Sequence, residues 1–260
     1  MKKIIFSFIF AIISICALKA QYTTSNAHSH NDYVNKIPFW TAYNNHFGSI
    51  EADIWAVDGN LYVAHDQKDI VPERTLDALY ILPIVKQYKQ NEGKAWSGIN
   101  AGFQLLVELK SATEPALSLL CKKIAQYPEV FDERVNKNAV RITITGRCPS
   151  PEAFKKYPAN IYYDGKIGQH YLPEQLKRVG LFSENLGRFT SWNGKDNIPE
   201  GEQNRLKVVI DSIHQLGFKI RFWDAPDNIN AWKTFISLKV DYINTDHINE
   251  LSAYLKNQDK

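Results

Sequence analysis

Cysteine is scarce in this 260-residue chain: three in all, with no CxxC pair and no cysteine–histidine cluster. That excludes the ligand spacings of a structural zinc site. No GxGxxG stretch follows the first strand-like segment, which removes the fingerprint of a dinucleotide-binding sheet. Repeats, low-complexity runs and linker-like stretches are missing as well. Charge of one sign is also lacking. Setting aside Lys2, Lys3 and Lys19 brings the 31 Lys and Arg level with the 28 Asp and Glu. A balanced surface carries no nucleic-acid footprint. After residue 18 no apolar run is long enough to span a bilayer.

What is there begins at the first residues. Met1-Lys2-Lys3 precedes an apolar run over 4–18 broken only by Ser7 and Ser14. This is the length of a signal-peptide core rather than a membrane span. Residues 1–20 read as a leader cut after Ala20, leaving 21–260 as one exported domain, periplasmic or extracellular. Cys121 and Cys148 then remain and read as two small buried residues rather than a disulfide.

Along the mature chain, β-like runs alternate with helical patterns. The strands are expected at 26–30, 49–55, 104–110, 139–145, 160–163, 181–184, 218–223 and 241–243, with an extra hairpin strand at 60–64 after the Asp58-Gly59 turn. Helices are expected at 75–90, 114–126, 151–156, 173–179, 201–216 and 228–238, and the end after Tyr254 reads as a frayed tail. About eight strand–helix units in one domain predict an α/β fold of the TIM (β/α)8 type.

Side chains alternate faces along a strand. Ile50, Ala52 and Ile54 therefore share one face of the second strand, and Glu51 and Asp53 the other. On the third, Leu105, Val107 and Leu109 face out, while Leu106, Glu108 and Lys110 face in. His28 and His30 share a face of the first. Turned toward a barrel mouth, Glu51, Asp53 and Glu108 would supply hard oxygen ligands for Ca²⁺ or Mg²⁺. The alternative is a set of solvated acids, or a Glu108–Lys110 ion pair.

The ordered set His28, Glu51-Ala52-Asp53, His65-Asp66 and Glu108-Leu109-Lys110, followed by Phe222-Trp223-Asp224 and the segment from Lys239 to Asp246, resembles the superfamily of glycerophosphodiester phosphodiesterases and phosphatidylinositol-specific phospholipases C. The resemblance runs from about residue 25 to 250. It implies a phospholipase C-like barrel with a small hairpin after the second strand. It also implies metal-assisted cleavage of a phosphodiester, a glycerophosphodiester or phospholipid-type headgroup. One divalent cation would sit on Glu51, Asp53 and Glu108, with His28 and His65 as the acid–base pair. The chain departs from the glycerophosphodiesterase pattern at the first strand, where His28-Ser29-His30-Asn31-Asp32-Tyr33 replaces the His-Arg-Gly and Pro-Glu-Asn-Thr stretches.

Further residues are candidates for substrate contact: His30, Asn31, Lys110, Arg141, Arg221 and Trp223. Arg147 joins them as a strand-end arginine. Ile37-Pro38-Phe39-Trp40 either touches a membrane or packs under the first helix. Two rival functions use the same barrel. A metal-dependent amidohydrolase would share His28-x-His30 but needs histidines after the fifth and sixth strands, where 160–164 and 181–188 have none. A non-catalytic barrel would hold a lipid headgroup or glycan on its aromatic loops without cutting it.

Overall fold

Period-two alternation closes into a barrel. The computed structural model describes residues 22–99 and 101–257, so the expected leader lies outside the described residues. Its strands are β1 (Ala27–Ser29), β2 (Ser49–Val57), β3 (Asn60–Val63), β4 (Gln104–Leu109), β5 (Arg141–Gly146), β6 (Ile161–Gly165), β7 (Val179–Asn185), β8 (Ile220–Trp223) and β9 (Ile243–Thr245). The sheet runs β8-β7-β6-β5-β4-β2-β1-β9 with parallel neighbours. The seam between β8 and β9 is closed by a parallel bridge between Arg221 and Tyr242 and by Asp241 N donating to Ile220 O at 3.1 Å. β3 pairs antiparallel with β2 as the expected hairpin. Asp58 and Gly59 both take positive φ at its turn, the backbone that a tight two-residue hairpin requires.

Helices cross over between strands: α1 (Trp40–Asn44), α2 (Leu82–Gln90), α3 (Thr113–Ile124), α4 (Pro128–Phe131), α5 (Pro173–Leu176), α6 (Glu200–Gln215), α7 (Ile229–Ser237) and α8 (Ile248–Lys256). After β5 the crossover is a 3-10 turn, Pro151–Lys156. Asn228 caps α7 by accepting from Ala231 N at 3.0 Å. No helix among the described residues is long and apolar enough to cross a membrane.

Several expectations need correction, the closing strand among them, since β9 is Ile243–Thr245 rather than 241–243. The helix expected at 75–90 is split: Asp77–Ile81 forms a π turn ahead of α2, because Pro83 has no N–H to donate back into the first turn. The helix expected at 173–179 stops at Leu176, and β7 starts at Val179, two residues before the expected strand. Gly180 permits this, since a Cβ there would meet Thr143 Oγ1 at 2.6 Å across the barrel. The segment beyond Tyr254 is not frayed at once, because α8 continues to Lys256.

The outward faces of the strands build the core under the helices. Ile50, Ala52, Ile54, Leu105, Val107 and Leu109 are all buried there, against residues such as Leu117 and Leu120 of α3. Each such side chain stabilises the fold by roughly 1.5–3 kcal/mol. The barrel interior is different. A small apolar plug of Leu106, Leu181 and Tyr242 fills its middle. Beside it runs a polar ladder. Thr143 Oγ1 donates to Gln104 Oε1 at 2.9 Å, and Gln104 Nε2 donates to Ser49 Oγ at 2.9 Å. Ser49 Oγ lies 2.8 Å from His28 Nδ1. Buried polar groups are tolerated only when satisfied, and this ladder satisfies them up to the floor of the site.

Candidate active site

β2 and β4 pair in register with Asp53 opposite Glu108, so the two acids share the C-terminal end of adjacent strands. Glu51 sits one inward step lower on β2. One carboxylate oxygen from each of Glu51, Asp53 and Glu108 lies within 4.8 Å of the others. Gly146 lets Glu108 reach this point. Its φ is +72°, and a Cβ there would stand 2.6 Å from Glu108 Cγ.

Each acid has a different surrounding. Glu51 is buried, accepting from Arg221 Nη1 at 2.6 Å and lying 2.8 Å from His28 Nε2. Burial alone would raise its pKa. The Arg221 guanidinium and His28 outweigh it and hold the carboxyl well below the usual range. Asp53 is fully buried, with Oδ2 accepting from Tyr33 Oη at 2.7 Å and Lys110 Nζ at 2.9 Å. Burial, then the charges of Glu51 and Glu108, push its pKa up to about 6, against the pull of Lys110 and Tyr33. Asp53 Oδ1 is buried with no hydrogen-bond partner among the described residues. Glu108 pairs with the same lysine at 2.9 Å. An orphaned carboxylate oxygen beside two further acids is the donor set a hard cation takes. These residues fit a bound divalent ion.

The imidazoles separate by depth. β1 pairs with β2 so that His28 stands opposite Ser49, below the level of Glu51. His28 is fully buried, and both of its nitrogens are engaged, on Ser49 and Glu51. Arg221 Nη1 stands 2.5 Å from Nε2 as well, so the ring is wedged between a guanidinium and the Ser49 hydroxyl. Burial and the adjacent Arg221 lower its pKa to about 4. His30, by contrast, lines the mouth cavity. Its Nδ1 lies 2.9 Å from Asp246 Oδ1 and 3.1 Å from Asn31 Nδ2. Burial alone would lower its pKa, but the Asp246 carboxylate and the charge of Glu51 raise it. His65 lines the same cavity, with Nδ1 3.1 Å from Tyr33 Oη and 3.4 Å from Asp53 Oδ2.

The cavity measures about 790 Å³ and opens at the C-terminal ends of the strands. Besides His30, His65 and the carboxylates, it is lined by Asn31, Lys110, Arg221 and Trp223. Asn31 adopts a left-handed backbone (φ 46°) and lies 2.8 Å from Tyr33 Oη through Oδ1. The loop that carries these residues is pinned by Asp32, which accepts from Ser29 Oγ, Phe39 N and Tyr80 Oη.

Two placements differ from expectation. Arg141 begins β5 opposite Gln104, at the far end of the barrel, and pairs with Glu133 at 2.9 Å. It lines a separate cavity of about 260 Å³ with Lys219 and Tyr242 and takes no part in the mouth. His28, expected to face the cavity, lies beneath Glu51 because the strand register sets it one layer too deep. In the segment offered for membrane contact, Ile37 is exposed, whereas Phe39 is buried and stacks on Tyr43 at 4.9 Å. Among the described residues Cys121 and Cys148 form no disulfide, their thiols pushed up by burial to about 11 and about 12.

Sequence reasoning also missed residues. Tyr33 joins Asn31, Asp53 and His65. Asp246 holds His30. Asp164, with Thr145 and Ser183, closes the opposite wall. Tyr33 was within reach, as it follows the His-Ser-His-Asn-Asp run. Asp164 carried no signal, being one acid at the end of a short strand.

Residues 17–156 match the AIM6-like phosphodiesterase domain, and residues 219–248 match the glycerophosphoryl diester phosphodiesterase family. Among curated relatives, the chain is 23% identical to Altered inheritance of mitochondria protein 6 of Kluyveromyces lactis, over 88% of this chain and 72% of that protein. It is 24% identical to the homolog of that protein from Arthroderma benhamiae, over 87% and 82%. Among solved structures it is similar to a glycerophosphodiester phosphodiesterase from Parabacteroides distasonis, with a TM-score of 0.56, 14% identity and coverage of 90% and 98%. A glycerophosphodiester phosphodiesterase from Agrobacterium tumefaciens gives a TM-score of 0.52 at 14% identity, over 88% and 97%. At these identities the structures establish the shared barrel. With more than half its length matched to one domain family and its acids gathered at the barrel mouth, the chain belongs to the AIM6-like phosphodiesterase domain family.

Proposed function

We propose that this protein hydrolyses a small-molecule or lipid-headgroup phosphodiester, using a divalent cation, Ca²⁺ or Mg²⁺, held by Glu51, Asp53 and Glu108. The observation that carries the reading is Asp53 Oδ1, a buried carboxylate oxygen without a partner, beside the oxygens of two other acids. When bound, such an ion polarises a phosphoryl oxygen and spreads its developing charge. Lys110 and Arg221 flank the same carboxylates and draw the phosphate toward them.

Two imidazoles at the cavity wall move the protons. With Nδ1–H on the Tyr33 hydroxyl, His65 keeps the Nε2 lone pair free to take a proton from the attacking hydroxyl. With Nδ1 on Asp246, His30 presents Nε2 to the cavity, and its raised pKa suits a donor to the departing alkoxide. His30 takes this role in place of His28, whose two nitrogens are already spoken for. His28 instead holds Glu51 in position.

Turnover of bis(p-nitrophenyl) phosphate with added Ca²⁺ or Mg²⁺ tests the reading. The expected result is hydrolysis that a chelator abolishes and that falls by about 100-fold or more in His30→Asn and in His65→Asn. His28→Asn should keep more activity than His30→Asn; the reverse ranking returns the proton-transfer role to His28. Hydrolysis untouched by the chelator or by both cavity variants overturns the reading. The export reading of residues 1–20 belongs to the same proposal: protein recovered outside the cytoplasm should begin at Gln21.

A further inference from the structure

Thr145, Asp164 and Ser183 stand at or near the C-terminal ends of β5, β6 and β7 and line the mouth cavity. β6 lies three strands round the barrel from β2, which carries Glu51 and Asp53, and Thr145 stands opposite Glu108 where β5 pairs with β4, so this wall adjoins the metal-ligand candidates on one side only. Thr145 Oγ1 donates to Asp164 Oδ2 at 2.9 Å, and Ser183 Oγ donates to the same oxygen. Both hydroxyl protons are thereby committed. Each hydroxyl then offers the cavity only lone pairs.

Asp164 Oδ1 is buried and has no hydrogen-bond partner among the described residues. The other acids lining the cavity have cations: Arg221 on Glu51, Lys110 on Glu108, Arg188 on Glu184. Among the described residues Asp164 has none at that range. A buried acceptor without a donor is costly, and the deficit is removed when a ligand supplies the donor. These three side chains thus present acceptors alone, with Lys166 and Gln169 further along the same lining, while Lys110 and Arg221 flank the metal-ligand candidates.

We propose that Thr145, Asp164 and Ser183 form the subsite for the alcohol portion of the phosphodiester, and that they select alcohols bearing O–H or N–H donors, a polyol or a primary ammonium. The inference rests on the phosphodiester reading above and assigns the part of the cavity that reading leaves unused. A quaternary ammonium carries charge without a donor and leaves the Asp164 Oδ1 acceptor without a hydrogen bond.

The test is equilibrium binding by calorimetry, which needs no turnover. Four phosphate monoesters are titrated into the Ca²⁺-loaded protein: glycerol phosphate, phosphoethanolamine, phosphocholine and methyl phosphate. At least one of the first two should bind about tenfold tighter than the last two, and the tighter of them separates polyol from amino alcohol. Asp164→Asn, whose amide puts N–H donors into the wall, should erase the preference and leave methyl phosphate within about twofold. Thr145→Val removes one acceptor and should shrink the preference; it serves if the Asp164 variant does not fold. Equal binding of all four, no binding of any, phosphocholine as tight as the tighter of the first two, or a matching loss for methyl phosphate in Asp164→Asn overturns the proposal. A wild type that shows the preference yet cuts no phosphodiester overturns the hydrolase reading and leaves this one standing.

Discussion

His28 shows how far a single residue is legible. Alternation correctly puts it on the same inward face as His30, but alternation says nothing of depth. Depth follows from the stagger of β1 against β2, which pairs His28 with Ser49 and sinks it beneath Glu51. Arg141 is the converse case. Its position at the start of its strand was visible, and function at the C-terminal ends of barrel strands argues against it. The buried neutral state of His28 has a measurable consequence. Its pKa falls from 6.5 to about 4 on folding, so the unfolded chain binds the extra proton between those values. The stability this gives is complete above pH 6.5 and is lost as pH falls toward 4, about 3 kcal/mol in total. Urea unfolding of the chelator-treated protein at pH 7 and pH 4.5 should show a steep loss in wild type and a shallower one in His28→Asn. Equal slopes would mean that the ring is protonated in the fold.

Elements were easier to read than residues. The long strands β2 and β4 announce themselves by strict alternation with acids on one face, and the Asp58-Gly59 turn marks the hairpin. β7 was read late because Val179-Gly180 looks like a helix end; only the approach of Thr143 explains the glycine. The short helices α1 and α4 carry too few turns to show a period. The end of β5 is where an element and the site meet. Gly146 combines a positive φ with direct contact to Glu108, so Gly146→Ala should push Glu108 aside. We expect a stability loss of about 1–3 kcal/mol and a metal affinity lower by about tenfold or more. Gly102→Ala, where a Cβ meets nothing within 4 Å, is the control that should leave metal affinity unchanged. An unchanged affinity in Gly146→Ala would show that Glu108 is not needed for the ion.

For the whole molecule, the barrel acts as a jig. Outward faces bind the helices, the apolar plug blocks the bore, and the polar ladder carries order up to Glu51. The acids converge only because strands β2 and β4, separated by more than forty residues of chain, lie side by side. Sequence could propose that meeting from the order of motifs, and a Glu108–Lys110 pair with it, but the reach of Lys110 to Asp53 and of Arg221 to Glu51 emerges from the closed barrel. An ion bound by the folded state alone should stabilise it, by about 2.7 kcal/mol at a hundred times its Kd. The melting temperature should therefore rise with Ca²⁺ or Mg²⁺ in wild type and stay flat in Asp53→Asn. Isothermal titration of the chelator-stripped protein with Ca²⁺ and Mg²⁺ reaches the central claim most directly. The account predicts one ion per chain, with heat that disappears in Glu51→Gln, Asp53→Asn and Glu108→Gln alike. Binding of neither cation to the wild type, or binding that survives all three substitutions, would contradict it.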